Sequence, residues 1–166
     1  EISWLDWNLD ERKRELLDFA RRVVQIRHDH PSLRRRKFFS GQSIHGENVR
    51  DVTWLRPDGA EMTDEEWDTG WTRALGMRLA GGPLDEVNHL GEQISDDALL
   101  ILLNGHWEPV PFTLASPTER GEWTVLLDTS KDDVSQGAGM DEGGQTYQLE
   151  ARSLVLLSKP AALGTD

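Results

Sequence analysis

The chain has no cysteine, and that absence removes disulfides, thiolate metal sites and cysteine nucleophiles together. It has a single tyrosine, and no apolar run approaching the roughly 20 residues of a membrane-spanning helix. Positive charge is scarce as well: 18 Lys and Arg stand against 30 Asp and Glu, a net charge of -12. Nucleic acid and anionic membranes are bound by clustered cations, so this balance argues against both as partners. An initiator Met is also missing. The opening Glu1-Ile2-Ser3-Trp4 has no signal-peptide layout and reads as the interior of a longer protein. Its 166 residues suffice for one domain with a real core, or a small domain with an appendage.

What the chain does have is one long apolar run, Ala98-Leu99-Leu100-Ile101-Leu102-Leu103, set between Asp96-Asp97 and Asn104-Gly105. A short run without alternation, bounded by turn chemistry, predicts a strand covered on both faces. Further strands are expected over 108–114 and 123–128, with Asn104-Gly105 as a hairpin turn and this run at the centre of an antiparallel sheet. Upstream, Leu16, Leu17, Phe19, Ala20, Val23, Val24 and Ile26 recur at helical spacing. They predict an amphipathic helix capped by Asn8 with Glu11 and ended by Pro31. After Phe38 the texture becomes short strands between Gly, Pro, Asp and Asn. Strands are expected over 49–55, closed by the turn Pro57-Asp58-Gly59, and over 73–80, terminated by Gly81-Gly82-Pro83. Thr63 should cap a turn of helix begun by Asp64-Glu65-Glu66. A long loop over 129–146 then leads to a final pair of strands, 146–150 and 153–157, with Ala151-Arg152 as the corner. Seven to eight strands with regular turns predict a mainly β chain, an antiparallel two-layer sandwich preceded by one helix.

Few residues are arranged for chemistry. His28-Asp29-His30 has the look of a metal pair, but a competent site needs three or four convergent donors, and His45, His89 and His106 stand alone. No metal site is expected. The acidic pairs Asp64-Glu65-Glu66, Asp96-Asp97, Asp132-Asp133 and Asp141-Glu142 are adjacent residues, whereas paired glycosidase carboxylates must sit about 5 Å or more apart across a sugar ring. No serine has a nucleophile-elbow context, and Gly81-Gly82 opens no helix that would cradle phosphate. The seven tryptophans are the unusual component, because an indole either fills a core or stacks on a flat ligand. Trp54 and Trp123, within or opening strands, suit the core. Trp67, Trp71 and Trp107, in loops, suit a core role and a sugar-facing role equally.

The order of several blocks resembles a known family. These are the opening Glu1-Ile2-Ser3-Trp4-Leu5-Asp6-Trp7, then His30-Pro31-Ser32-Leu33-Arg34, Asp51-Val52-Thr53-Trp54-Leu55-Arg56-Pro57-Asp58-Gly59 and Met62 to Trp67. Asp97 to Asn104, Trp123 to Thr129 and Ala151-Arg152-Ser153 extend the match over nearly the whole chain. Together they resemble the C-terminal part of bacterial glycogen debranching enzymes of the glycogen-operon and isoamylase type, in the α-amylase superfamily. The resemblance implies a cytoplasmic parent that hydrolyses α-1,6-glucosidic branch links by a retaining mechanism, without cofactor or metal. It implies a (β/α)8 barrel whose three catalytic carboxylates precede Glu1, so that this fragment carries no catalytic residue. Residues 1–38 are then the last loop and helix of the barrel, and residues 39–166 the C-terminal all-β sandwich. The implied partners are that barrel and an α-glucan. The loop over 131–144 has no counterpart in the family pattern. Two rivals remain: an independent carbohydrate-binding sandwich using Trp67, Trp71 and Trp107, and a protein-interaction domain docking through the Leu17 and Val24 helix face.

Overall fold

The computed structural model describes residues 7–41, 50–70, 72–114, 122–131 and 146–161. Helix α1 (Glu11–Asp29) is followed by a 3-10 turn (Pro31–Arg34), and α2 (Asp64–Trp67) is a single turn. The strands among the described residues are β1 (Val52–Leu55), β2 (Ala74–Leu79), β3 (Gly82–Val87), β4 (Gln93–Asp96) and β5 (Ala98–Asn104). They continue with β6 (Val110–Thr113), β7 (Thr124–Asp128), β8 (Thr146–Leu149) and β9 (Ser153–Lys159). All the pairings are antiparallel, in one five-stranded sheet ordered β1-β2-β5-β9-β7 and two ribbons, β3-β4 and β6-β8. The loop expected between β7 and β8 lies, beyond Lys131, outside the described residues.

The apolar run is the middle strand of that sheet, and its residues are apolar on both sides because both sides are covered. Ala98, Leu100 and Leu102 point into a core completed by Val125, Val155 and Leu157 and roofed by Phe112, Tyr147 and Leu149 of the β6-β8 ribbon. Leu99 and Ile101 point the other way, with Leu79, Leu127 and Leu156, against Ile26 and Phe19 of α1. Each aliphatic side chain buried in these two layers contributes about 1.5–3 kcal/mol. Gly76 in β2 lets the Phe112 ring approach, since a Cβ there would lie 2.8 Å from it.

Asp10, and not Asn8, caps α1: its carboxylate accepts from the Lys13 N–H at 2.8 Å. A charged carboxylate at the positive end of the helix is the stronger acceptor. The expected apolar stripe is split. Phe19, Arg22 and Ile26 face the sheet, while Leu16, Ala20, Val23 and Val24 face outward. Arg22 donates to the Leu126 carbonyl at 3.3 Å, which a shift of register between Val125 and Leu127 makes available. Pro31 ends α1 as expected, with His30 as its C-cap.

Beyond the helix, three acids with buried side chains hold the chain to the β unit. Asp96 accepts from His30 Nδ1 at 2.9 Å and from the Ser32 N–H at 2.8 Å. Asp51 accepts from the N–H groups of Ser40 and Gly41 at 2.9 and 2.8 Å. Burial works against charge on Glu86, but the amides of Lys37 and Arg36 hold its carboxyl below the ordinary range.

Two local expectations are corrected. Asn104-Gly105 is not a tight hairpin turn, because β5 pairs with β2 and β9 while β6 crosses to the other layer and pairs with β8. Gly81-Gly82-Pro83 does not simply end a strand: Gly82 and Pro83 open β3, where proline is tolerated in a two-stranded ribbon with open edges. Trp123 is buried, as expected, and Trp54 is half-buried. Among the described residues no helix is long and apolar enough to cross a membrane.

Candidate functional site

Among the described residues, a cleft of about 560 Å³ opens between the turn after β1, the α2 segment and the loop from β5 to β6. Its first wall is local in origin. Pro57 sets the turn and Gly59, at φ +82°, closes it, so that Arg56 and Asp58 project together. Arg56 donates to Glu66 Oε1 at 2.7 Å and to Asp58 Oδ2 at 2.8 Å. The Glu66 carboxyl is held below its ordinary range first by Arg56 and then by the Thr63 N–H, the return arm of a capping box at 2.8 Å. Asp58 is held down chiefly by the Ala60 N–H. One arginine therefore holds two carboxylates, which leaves this wall with one net negative charge.

The second wall is the 105–109 loop, and Asn104 fixes it. The buried Asn104 amide donates to the carbonyls of Glu108, Leu149 and Glu150, while its oxygen accepts from the His106 N–H at 2.8 Å. Gly105 N–H donates to the Arg73 carbonyl at 2.8 Å, and Arg152 N–H to the His106 carbonyl at 3.0 Å. Arg152 makes that bond from the left-handed region, φ 51°, a conformation that costs a residue with a side chain about 1–3 kcal/mol. The Arg73 guanidinium bonds His106 Nε2, while the Glu108 N–H donates to His106 Nδ1 at 3.1 Å. A neutral imidazole accepts at one nitrogen only, so the two donors compete for it.

Trp107 sits on this braced loop. Its indole stacks on the His106 ring at 4.1 Å, with Arg73 5.1 Å from its centroid, yet it keeps 64% of its surface exposed. Trp67 is 48% exposed and packs edge-on against Trp54 at 5.3 Å. Residues beside each indole line the cleft, Glu66 for one and His106 and Glu108 for the other, but neither ring belongs to its wall. Trp71 lies outside the described residues, as does His45. Arg73 carries no signal in the sequence and His106 stands alone there, because what brings them together is a loop held by a buried asparagine that looks like a turn residue.

The other sequence candidates do not converge. His30 turns inward to Asp96 while His28 meets Asp29 at 3.5 Å on the surface, and no group of three metal-ligating side chains occurs among the described residues. Asp64, Glu65 and Glu66 serve α2, and Asp96 serves the anchoring of α1. Asp132-Asp133 and Asp141-Glu142 lie outside the described residues.

Fold and site together define an antiparallel β domain with a covering helix, a cleft of mixed polar and apolar lining and an exposed apolar helix face. The isoamylase C-terminal family matches residues 51–158, and the chain belongs to that family. It is 38% identical over 160 residues to the "Glycogen operon protein GlgX homolog" of Mycobacterium tuberculosis, covering 96% of this chain and 22% of that protein. It is 26% identical over 163 residues to the "Isoamylase" of Flavobacterium, covering 93% and 20%. It is 30% identical over 111 residues to the "Glycogen debranching enzyme" of Cronobacter sakazakii, covering 67% and 15%. The chain thus spans about a fifth of the length of the curated relatives that it matches most fully.

Proposed function

We propose that the chain is the non-catalytic C-terminal portion of a cytoplasmic glycogen debranching hydrolase. The parent cleaves α-1,6-glucosidic branch links in glycogen or limit dextrins with retention, and residues 1–38 are the last loop and helix of its catalytic barrel. The observation that carries this reading is the divided face of α1. One side closes the second core of the sheet, and the other leaves Leu16 67% and Val24 68% exposed, with Val23 beside them. A helix that serves two layers belongs at the junction of two bodies. In this reading the barrel covers the outward stripe, and the buried acids Asp51, Glu86 and Asp96 hold the helix segment to the sandwich. The test is reducing-end release from glycogen. The full-length gene product should debranch it and the 166-residue chain alone should not; hydrolysis by the chain alone refutes the reading.

The rival reading, an independent carbohydrate-binding sandwich, is favoured by the exposed and braced Trp107. Retardation of the isolated chain in a glycogen-containing gel, lost on Trp107→Ala, supports carbohydrate binding by this domain. Such binding is compatible with either reading, and the activity of the full-length product decides between them.

A further inference from the structure

We propose that the cleft beside Trp107 is a binding site for a short α-glucan strand. A sugar ring stacks on the open face of Trp107, and Arg73 donates hydrogen bonds to its hydroxyls. The choice of an α-glucan rests on the function proposed above; the site itself rests on geometry.

Three observations converge. First, the platform is rigid. Asn104, Arg73 and Arg152 hold the 105–109 loop through side-chain and backbone hydrogen bonds, and His106 backs the indole, so little ordering remains to be done on binding. A large aromatic kept 64% exposed on a braced loop is poorly explained by packing. Second, Arg73 has no carboxylate partner among the described residues. It is engaged by His106 and Trp107, which leaves further N–H groups of its fork to donate. Third, the wall suits a neutral amphipathic ligand. Met62, Pro57 and Val110 supply apolar surface, and Thr69 and Thr72 supply hydroxyls. The ionised groups are two arginines against Asp58, Glu66 and Glu108, on a chain of net charge -12, which disfavours an anion. Among the described residues no cluster is fit to hold a metal ion. The volume lies within the range of about 300–1,000 Å³ found for small-ligand clefts. A polyol with C–H faces and hydroxyl edges matches all of these features.

The experiment is calorimetric titration of the 166-residue chain with maltoheptaose, with cellohexaose as the β-linked control. The expected result is millimolar or tighter binding of maltoheptaose only. Trp107→Ala should weaken it by about tenfold or more and Arg73→Met by several-fold. Leu90→Ala, which removes an exposed leucine from the β3-β4 turn, should leave it unchanged. Melting curves establish that each variant is folded. On the native chain, the indole N–H resonance of Trp107 should shift during the titration, a readout that needs no variant. Absence of binding, equal binding of cellohexaose, an unmoved Trp107 resonance or a Trp107→Ala chain that binds like the native one each overturns the inference. A chain that neither binds maltoheptaose nor hydrolyses glycogen removes this site and leaves the domain assignment standing.

Discussion

Tyr147→Phe removes one oxygen atom from the core, and its consequences can be worked out in some detail. The phenol is fully buried and donates to Asp128 Oδ2 at 2.6 Å, while Asp128 Oδ1 accepts from the Ser130 N–H and Oγ at 2.9 and 2.7 Å. Deleting the hydroxyl leaves a buried carboxylate oxygen without that donor, at a cost of about 2–3 kcal/mol. For a chain of this size that lowers the melting temperature by about 5–10 °C. The pH dependence has a definite sign. Burial first, then the bond to Asp128 and the negative charges of Asp128 and Glu150, raise the Tyr147 pKa well above that of a free phenol. The folded chain therefore keeps a proton that the unfolded chain loses near pH ~10. The stability contributed by the protonated phenol is intact below about pH 10 and declines above it, by up to about 1.4 kcal/mol per pH unit. Tyr147 is the only tyrosine, so the phenolate absorption band reports it alone. The band should stay absent above pH ~10 while circular dichroism shows a folded chain, and emerge with unfolding. The stability gap between native and Tyr147→Phe chains should narrow over the same range. A titration midpoint near pH ~10 in a folded chain would refute the argument.

Other substitutions test separate parts of the account. Asp96→Ala removes the acceptor shared by His30 and Ser32 and should cost about 2–4 kcal/mol in urea unfolding, with faster proteolysis of the helix segment; a loss under about 0.5 kcal/mol refutes the anchoring role. Gly76→Ala puts a Cβ 2.8 Å from the Phe112 ring, so a loss of about 1–3 kcal/mol is expected and an unchanged melting temperature contradicts it. Leu16→Asp with Val24→Asp should change the stability of the isolated chain by less than about 0.5 kcal/mol per site, because both are exposed. In the full-length product the same pair should lower the melting temperature sharply; equal behaviour in both settings argues against a docked barrel.

The central strand is legible in the sequence because six apolar residues without alternation leave few alternatives to a strand covered on both faces. The turn at Pro57-Asp58-Gly59 and the Thr63 cap are legible for a related reason: each depends on dihedral preferences or caps that are local. What is not legible is pairing. The β3-β4 ribbon is masked by Gly81-Gly82-Pro83, whose local signal is termination, and the partner of β6 lies far along the chain in the opposite layer, as Val110↔Leu149 and Thr113↔Thr146 show. The same limit hides the cleft. Asn104 looks like half of a hairpin turn, yet it is buried and spends its amide on three carbonyls, two of them contributed by Leu149 and Glu150. Trp107 can be singled out as a loop tryptophan, but its neighbours Arg73 and His106 come together only through the fold. The outward stripe of α1 shows in the spacing of Leu16, Ala20, Val23 and Val24, whereas its separation from the sheet-facing side does not.

The most direct test of the account compares the full-length gene product with the 166-residue chain for reducing ends released from glycogen. Release by the full-length product, lost after enzymatic removal of the α-1,6 branches, with none by the chain alone, is the predicted result. Hydrolysis by the chain alone, or a full-length product that leaves the branches intact, contradicts it.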